Sequence, residues 1–173
     1  MKTSLNLRKL CLAAVLTAVC VATSTFSIPV GASRCFPIQH LCNILAGVFL
    51  GPWYSVAMAF CASLLRNLMG TGTLLAFPGS MAGALLGGIL YQYCERKLVL
   101  AYLGELVGTS ILGGVLAWPL AVFVLGKEAA IFAYVFPFFV SCAGGTIIAV
   151  FLVGALKKTG ALDRVLSPAV KKL

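Results

Sequence analysis

The chain reads as a succession of apolar runs, most of them close to bilayer-crossing length, separated by short breaks rich in Gly, Pro or basic residues. The hydrocarbon core of a bilayer is about 30 Å thick, and a helix needs about 20 apolar residues to cross it. Across 173 residues this allows about six crossings and leaves no room for a separate soluble catalytic or nucleotide-binding domain. Composition points the same way: 61% of residues are hydrophobic, 10% are charged, and the mean hydropathy is +1.07. A soluble domain is about one quarter charged. A water-soluble core of this size has too little polar surface to cover so many apolar groups.

The apolar runs and their breaks predict six helices: about Leu7–Phe26, Ile38–Leu50, Trp53–Leu68, Pro78–Tyr93, Leu98–Leu125 and Ala129–Leu156. The first should end near Ile28-Pro29-Val30-Gly31, and Gly51-Pro52 should separate the second from the third. Residues 1–158 then form one membrane domain, and 159–173 a short basic tail that either lies on anionic headgroups or is solvated. The first apolar run also resembles a signal peptide, but its cleavage would leave an odd number of crossings. A lipoprotein reading at Cys20 fails because Val19 is too bulky for the position before a modified cysteine.

The net charge of +9 does not indicate nucleic acid, because Lys and Arg sit between apolar runs and at the chain ends rather than along one face. With the N-terminus in the cytoplasm, Lys2, Arg8, Lys9, Arg96, Lys97, Lys157, Lys158, Arg164, Lys171 and Lys172 all lie inside. Only Arg34, Arg66 and Lys127 lie outside. The positive-inside rule therefore predicts that both termini are cytoplasmic, which requires an even number of crossings. The seven cysteines are scattered, without a C-x-x-C pair, and do not form a disulfide framework.

Small residues recur at helical spacing: Ala14, Ala18 and Ala22 in the first helix, Gly79, Gly83 and Gly87 in the fourth, and Gly104 and Gly108 in the fifth. In lipid such faces let backbones approach closely. The glycine series are read as internal packing. No sequence repeat relates the two halves, which argues against an inverted-repeat transporter.

Enzyme motifs are missing: there is no H-E-x-x-H, G-x-S-x-G or P-loop. The four acids, Glu95, Glu105, Glu128 and Asp163, are far apart, and the chain is read as non-enzymatic with no cofactor. Cys35, His40 and Cys42 offer three irregularly spaced metal ligands, and an interfacial histidine without metal is the preferred reading. The remaining polar groups gather toward the outer face. Gln39, His40 and Asn43 open the second helix, Arg66 and Asn67 close the third, and Thr71 and Thr73 lie in the next loop. Trp118 and Tyr134 fall in the outer thirds of the last two helices, as pocket walls or as an interfacial aromatic belt. Aromatic walls with a few fixed donors suit a small ring compound. Arg66 either orients its loop or reads a polar end of the ligand. Glu105, the only acid within a span, is placed in the inner half of the fifth helix, away from this pocket. It is read as a structural hydrogen-bonding group or a contact for an energising partner.

Three stretches carry a family resemblance: Cys35-Phe36-Pro37-Ile38-Gln39-His40, Leu50-Gly51-Pro52-Trp53-Tyr54, and the long run from Leu64-Leu65-Arg66-Asn67-Leu68-Met69-Gly70-Thr71-Gly72-Thr73 to Phe77-Pro78-Gly79-Ser80. With Gly104-Glu105-Leu106-Val107-Gly108-Thr109, they make residues from about Leu7 to Leu156 resemble the ThiW family, thiazole-specific substrate-binding (S) components of energy-coupling-factor (ECF) transporters. The resemblance implies an all-α membrane bundle of six helices that binds its ligand near the extracellular face under loops. It implies a transmembrane T subunit and two cytoplasmic ATPase subunits as partners. It implies docking through an A-x-x-x-A pattern, matched here by Ala14 and Ala18. The implied cargo is hydroxyethylthiazole, the thiazole precursor of thiamin. The alternatives are an S component for another small vitamin or precursor, and a small membrane scaffold without ligand.

Overall fold

The computed structural model describes residues 2–30, 33–160 and 162, so most of the expected basic tail lies outside the described residues. Among them are six helices and one short hairpin: α1 (Lys2–Ala22), β1 (Ile28–Val30), β2 (Ser33–Cys35), α2 (Pro37–Leu50), α3 (Pro52–Leu68), α4 (Ala76–Tyr93), α5 (Leu98–Val124) and α6 (Val135–Lys158). Most breaks fall where local chemistry demands them. Pro37 and Pro52 stand at the first helical positions of α2 and α3, where the missing N–H costs nothing. Gly51 joins the two helices with φ 87°, a left-handed conformation that only glycine takes without strain.

Several boundaries depart from the sequence expectation, among them the start of the first helix, at Lys2 rather than about Leu7, and the end of the last, at Lys158 rather than Leu156. The first helix ends at Ala22, and the residues expected to close it form the antiparallel hairpin, with Ile28 paired to Cys35 and Pro29 to Arg34. The sixth helix begins at Val135 rather than near Ala129. A start at Ala129 would place Pro137 in the helix interior, where it removes a hydrogen bond and clashes with the preceding turn. Starting at Val135 puts it in the first turn. The fourth helix begins at Ala76, two residues early, with Pro78 again in its first turn. Within α5 the helix widens to π geometry over Gly108–Gly113 and Leu120–Val124.

At the centre lies α2, buried on nearly every side from Gln39 to Leu50 and packed against α1, α3, α4 and α6. At 14 residues it is about 21 Å long, short of a full bilayer crossing. The two helices that most clearly suit a membrane by length and apolarity are α5 and α6, of 27 and 24 residues. Large apolar side chains face outward around the bundle, with Trp53, Phe123 and Phe151 each more than three-quarters exposed. A surface of this kind fits lipid, not water.

The glycine series form the α4–α5 seam. Gly113 backs onto Gly79, Gly108 onto Gly83 and Gly104 onto Gly87. A Cβ added to Gly104 would lie 2.6 Å from Gly87 Cα, and one added to Gly108 would lie 2.8 Å from Gly83 Cα. The backbones therefore touch, which is the packing that small residues permit in lipid. In contrast, Ala14, Ala18 and Ala22 are exposed on the outer face of α1.

Candidate ligand-binding site

At one end of the bundle the N-terminal turns of α2, α4 and α6 surround a small cavity with a volume of about 30 Å³. Phe36, Gln39 and His40 come from the α2 entry, Ala76, Gly79 and Ser80 from the α4 entry, and Phe138 and Ser141 from α6. Thr109 of α5 closes the inner side, while Arg34 and Thr73 border it from the hairpin and the α3–α4 loop. The volume holds about two waters. A small-molecule pocket is typically at least 300 Å³, so occupation by a ring compound requires a wall to move.

Beneath the cavity is a layer of polar side chains centred on Glu105. Its Oε1 accepts from Asn43 Nδ2 at 2.9 Å and Thr109 Oγ1 at 3.2 Å, and lies 2.9 Å from His40 Nδ1. Asn43 Nδ2 also reaches Ser80 O at 3.2 Å, tying α2 to both α4 and α5. A second chain runs from Gln39 Nε2 to Ser63 Oγ at 3.1 Å and on to Ser80 Oγ at 3.0 Å. Gly83 makes room for this layer, because a Cβ there would lie 2.7 Å from Glu105 Oε2 and would overlap Thr109 Oγ1.

Glu105 therefore sits elsewhere than expected. Counting along α5 placed it away from the pocket, yet it bonds directly to His40 and Asn43. Depth along one helix does not reveal that the short α2 enters the bundle with its polar first turns facing α5. The candidate site residues divide accordingly. Gln39, His40 and Thr73 border the cavity, and Asn43 lies one turn deeper in the Glu105 layer. Asn67 Nδ2 donates to Ser63 O at 2.8 Å and Thr73 O at 3.1 Å, holding the loop after α3. Thr71 shares a 2.8 Å hydrogen bond with Ser24, tying the same loop to the end of α1.

Trp118 and Tyr134 are not brought to the cavity. Trp118 Nε1 donates to Ala129 O at 2.9 Å, and its ring meets Phe123 edge-on. Tyr134 is buried among Leu75, Ala117, Ala121 and Phe138. The aromatic walls are instead Phe36 and Phe138, which composition alone did not distinguish from the other nine phenylalanines. Ser80, Thr109 and Ser141 were also missed. Their signal was present as isolated hydroxyls within otherwise apolar helices.

Arg66 is 1% exposed and lies over the Phe36 ring, its guanidinium carbon 3.7 Å from the ring centroid. Its Nε, Nη1 and Nη2 have no hydrogen-bond partner among the described residues. Cys35, beside Phe36, directs its thiol at Pro137 O, and burial pushes that thiol up from its ordinary pKa. Cys42 faces the α1–α2 core instead, so Cys35, His40 and Cys42 do not form the metal trio weighed from the sequence. His40, Glu105 and Cys142 do place donor atoms within 4.8 Å of one another. The Glu105 oxygen facing His40 is already engaged by Asn43 and Thr109.

An apolar exterior around a small polar-lined cavity fits a membrane protein with an interior site. Residues 10–159 match the family described as thiamine-precursor transporter protein (ThiW), and the chain belongs to that family, which is a transporter family and not an enzyme class. No curated protein and no solved structure matches the chain.

Proposed function

We propose that this chain is the substrate-capture subunit of an ECF-type importer, taking hydroxyethylthiazole from the extracellular side. The observation that carries the reading is the cavity bordered by Phe36, Phe138, Gln39, His40 and Thr73. Two aromatic rings suit a flat heterocycle, and the amide, imidazole and hydroxyl groups suit its ring nitrogen and hydroxyl. The cavity lies at the start of α2, α4 and α6 and beyond the end of α3. Six crossings with both termini cytoplasmic, favoured by the Lys and Arg distribution, put these ends outside. Residues 1–158 act as the membrane domain and 159–173 as a cytoplasmic tail. The T subunit docks on the exposed Ala14 and Ala18 strip of α1 and links the protein to two ATPase subunits.

Equilibrium binding by the purified protein tests the reading, with hydroxyethylthiazole, the pyrimidine precursor and whole thiamin compared. The thiazole is expected to bind most tightly, and the ATPase subunits to copurify from the native membrane. Binding of none of the three, with no ATPase copurifying, overturns it.

A further inference from the structure

Arg66 is a buried cation in want of an anion. Taking a guanidinium out of water is costly unless it is paired and hydrogen-bonded. The ion pairs among the described residues are His40–Glu105 and Lys97–Glu95, and neither involves Arg66. The Phe36 ring compensates one face of the guanidinium through a cation–π contact but accepts none of its in-plane N–H groups.

The surroundings select the kind of anion. Phe36 is at once the platform under Arg66 and a wall of the cavity. Because the cavity is too small for a ring compound, binding must displace a wall, and displacing Phe36 joins the cavity to the guanidinium. The same end is positive for two further reasons. Arg34 borders the cavity, and the helix N-termini of α2, α4 and α6 converge on it with their partial positive charge. The acid nearest the cavity, Glu105, lies on the inner side, held by Asn43 and Thr109. Arg66 is 1% exposed, so in this conformation neither a partner subunit nor a lipid headgroup touches it.

We propose that the molecule captured here carries an oxyanion group, and that this group pairs with Arg66 when Phe36 moves aside. The proposal rests on the thiazole-capture reading and narrows it to a charged form of the precursor, such as its phosphate monoester. The ring occupies the space between Phe138 and His40, and the anion lies toward the hairpin and the α3–α4 loop.

The test compares hydroxyethylthiazole with its phosphate monoester, binding to purified protein in neutral-lipid nanodiscs. Charge-assisted hydrogen bonds should favour the monoester by roughly ten- to a hundred-fold. Arg66→Gln should bring the two ligands to equal affinity. Arg66→Lys should keep part of the preference, since the charge remains but the planar fork is lost. Because the readout is a ratio within each variant, partial loss of folded protein does not obscure it. Equal affinities in the wild type overturn the proposal, as does a preference that survives Arg66→Gln. Arg66-dependent enhancement of alcohol binding by inorganic phosphate, or by phosphatidylglycerol in the nanodisc, also overturns it, because the anion is then separate from the cargo. Binding of neither ligand overturns the capture reading as well.

Discussion

Two ionisable side chains are buried to the same degree, Glu105 and Arg66 at 1% exposure each, yet the fold partners one of them through Oε1 and leaves the other without a hydrogen bond among the described residues. Oε1 of Glu105 is met by side chains from α2 and by Thr109 one turn along its own helix. Arg66 has an aromatic face and, among the described residues, no hydrogen-bonding partner for its three nitrogens. The first is a joint between helices α2 and α5 made through Oε1, while its Oε2 has no hydrogen-bond partner among the described residues. The second is a group whose electrostatic demand the fold leaves open. On the proposal above, the Glu105 layer serves architecture and Arg66 serves recognition.

The largest expected effect comes from breaking the inner joint. Glu105→Ala leaves the buried donors of His40, Asn43 and Thr109 without their acceptor, at about 1–3 kcal/mol for each unpaired group. Denaturation of the purified protein should show a loss of at least about 3 kcal/mol. Stability close to wild type would mean that the layer is no joint. Arg66→Met provides the contrast: removing an unpaired buried charge in the ligand-free protein should cost under about 1 kcal/mol or stabilise. A destabilisation comparable to that of Glu105→Ala would erase the distinction between the two layers.

Next in size is the cavity wall. His40→Ala removes a ring that borders the cavity and also bonds Glu105, and ligand affinity should fall roughly ten- to a hundred-fold in titration calorimetry. Trp118→Phe should leave that affinity within about twofold, because its indole serves the α5–α6 connection through Ala129 O, at about 0.5–1.5 kcal/mol of stability. A loss of affinity at Trp118 equal to that at His40 would move the pocket toward α5 and α6. The smallest signal is chemical. Cys35 is 2% exposed and its thiol is pushed up by burial, so it should react slowly with maleimide in the resting protein. Ligand that displaces Phe36 should change that rate several-fold, and an unchanged rate would show that the wall does not move.

Helix existence and most helix ends were legible because they depend on local chemistry. Pro37, Gly51-Pro52, the polar turn at Cys94–Lys97 and Gly126 stop or start helices by their own dihedral and hydrogen-bonding constraints. The Ile28–Cys35 hairpin was not legible, because a strand of three residues is too short to show alternation. The late start of α6 was hidden by the apolar character of 129–134, which looks helical until Pro137 is considered as a first-turn residue. In the site, Gln39, His40 and Thr73 could be read from their position at an outer helix end or loop. Asn67 and Thr71 share that position but spend their hydrogen bonds on anchoring the loop, Asn67 to Ser63 O and Thr73 O and Thr71 to Ser24.

What the sequence determined by itself was the environment and the parts: apolar runs that require lipid, breaks that delimit the helices, and glycine rows that permit backbone contact. These follow from composition and spacing, since they depend on each residue's own chemistry and that of its near neighbours. Only the tertiary structure decided which polar groups meet. Glu105 joins His40 and Asn43 across more than 60 residues of sequence, and Arg66 meets Phe36 but no acid among the described residues. Such pairings depend on how each helix is rotated about its axis and how deeply it is inserted. Those quantities are set by the packing of whole helix faces, as where Gly79, Gly83 and Gly87 meet Gly113, Gly108 and Gly104 of α5.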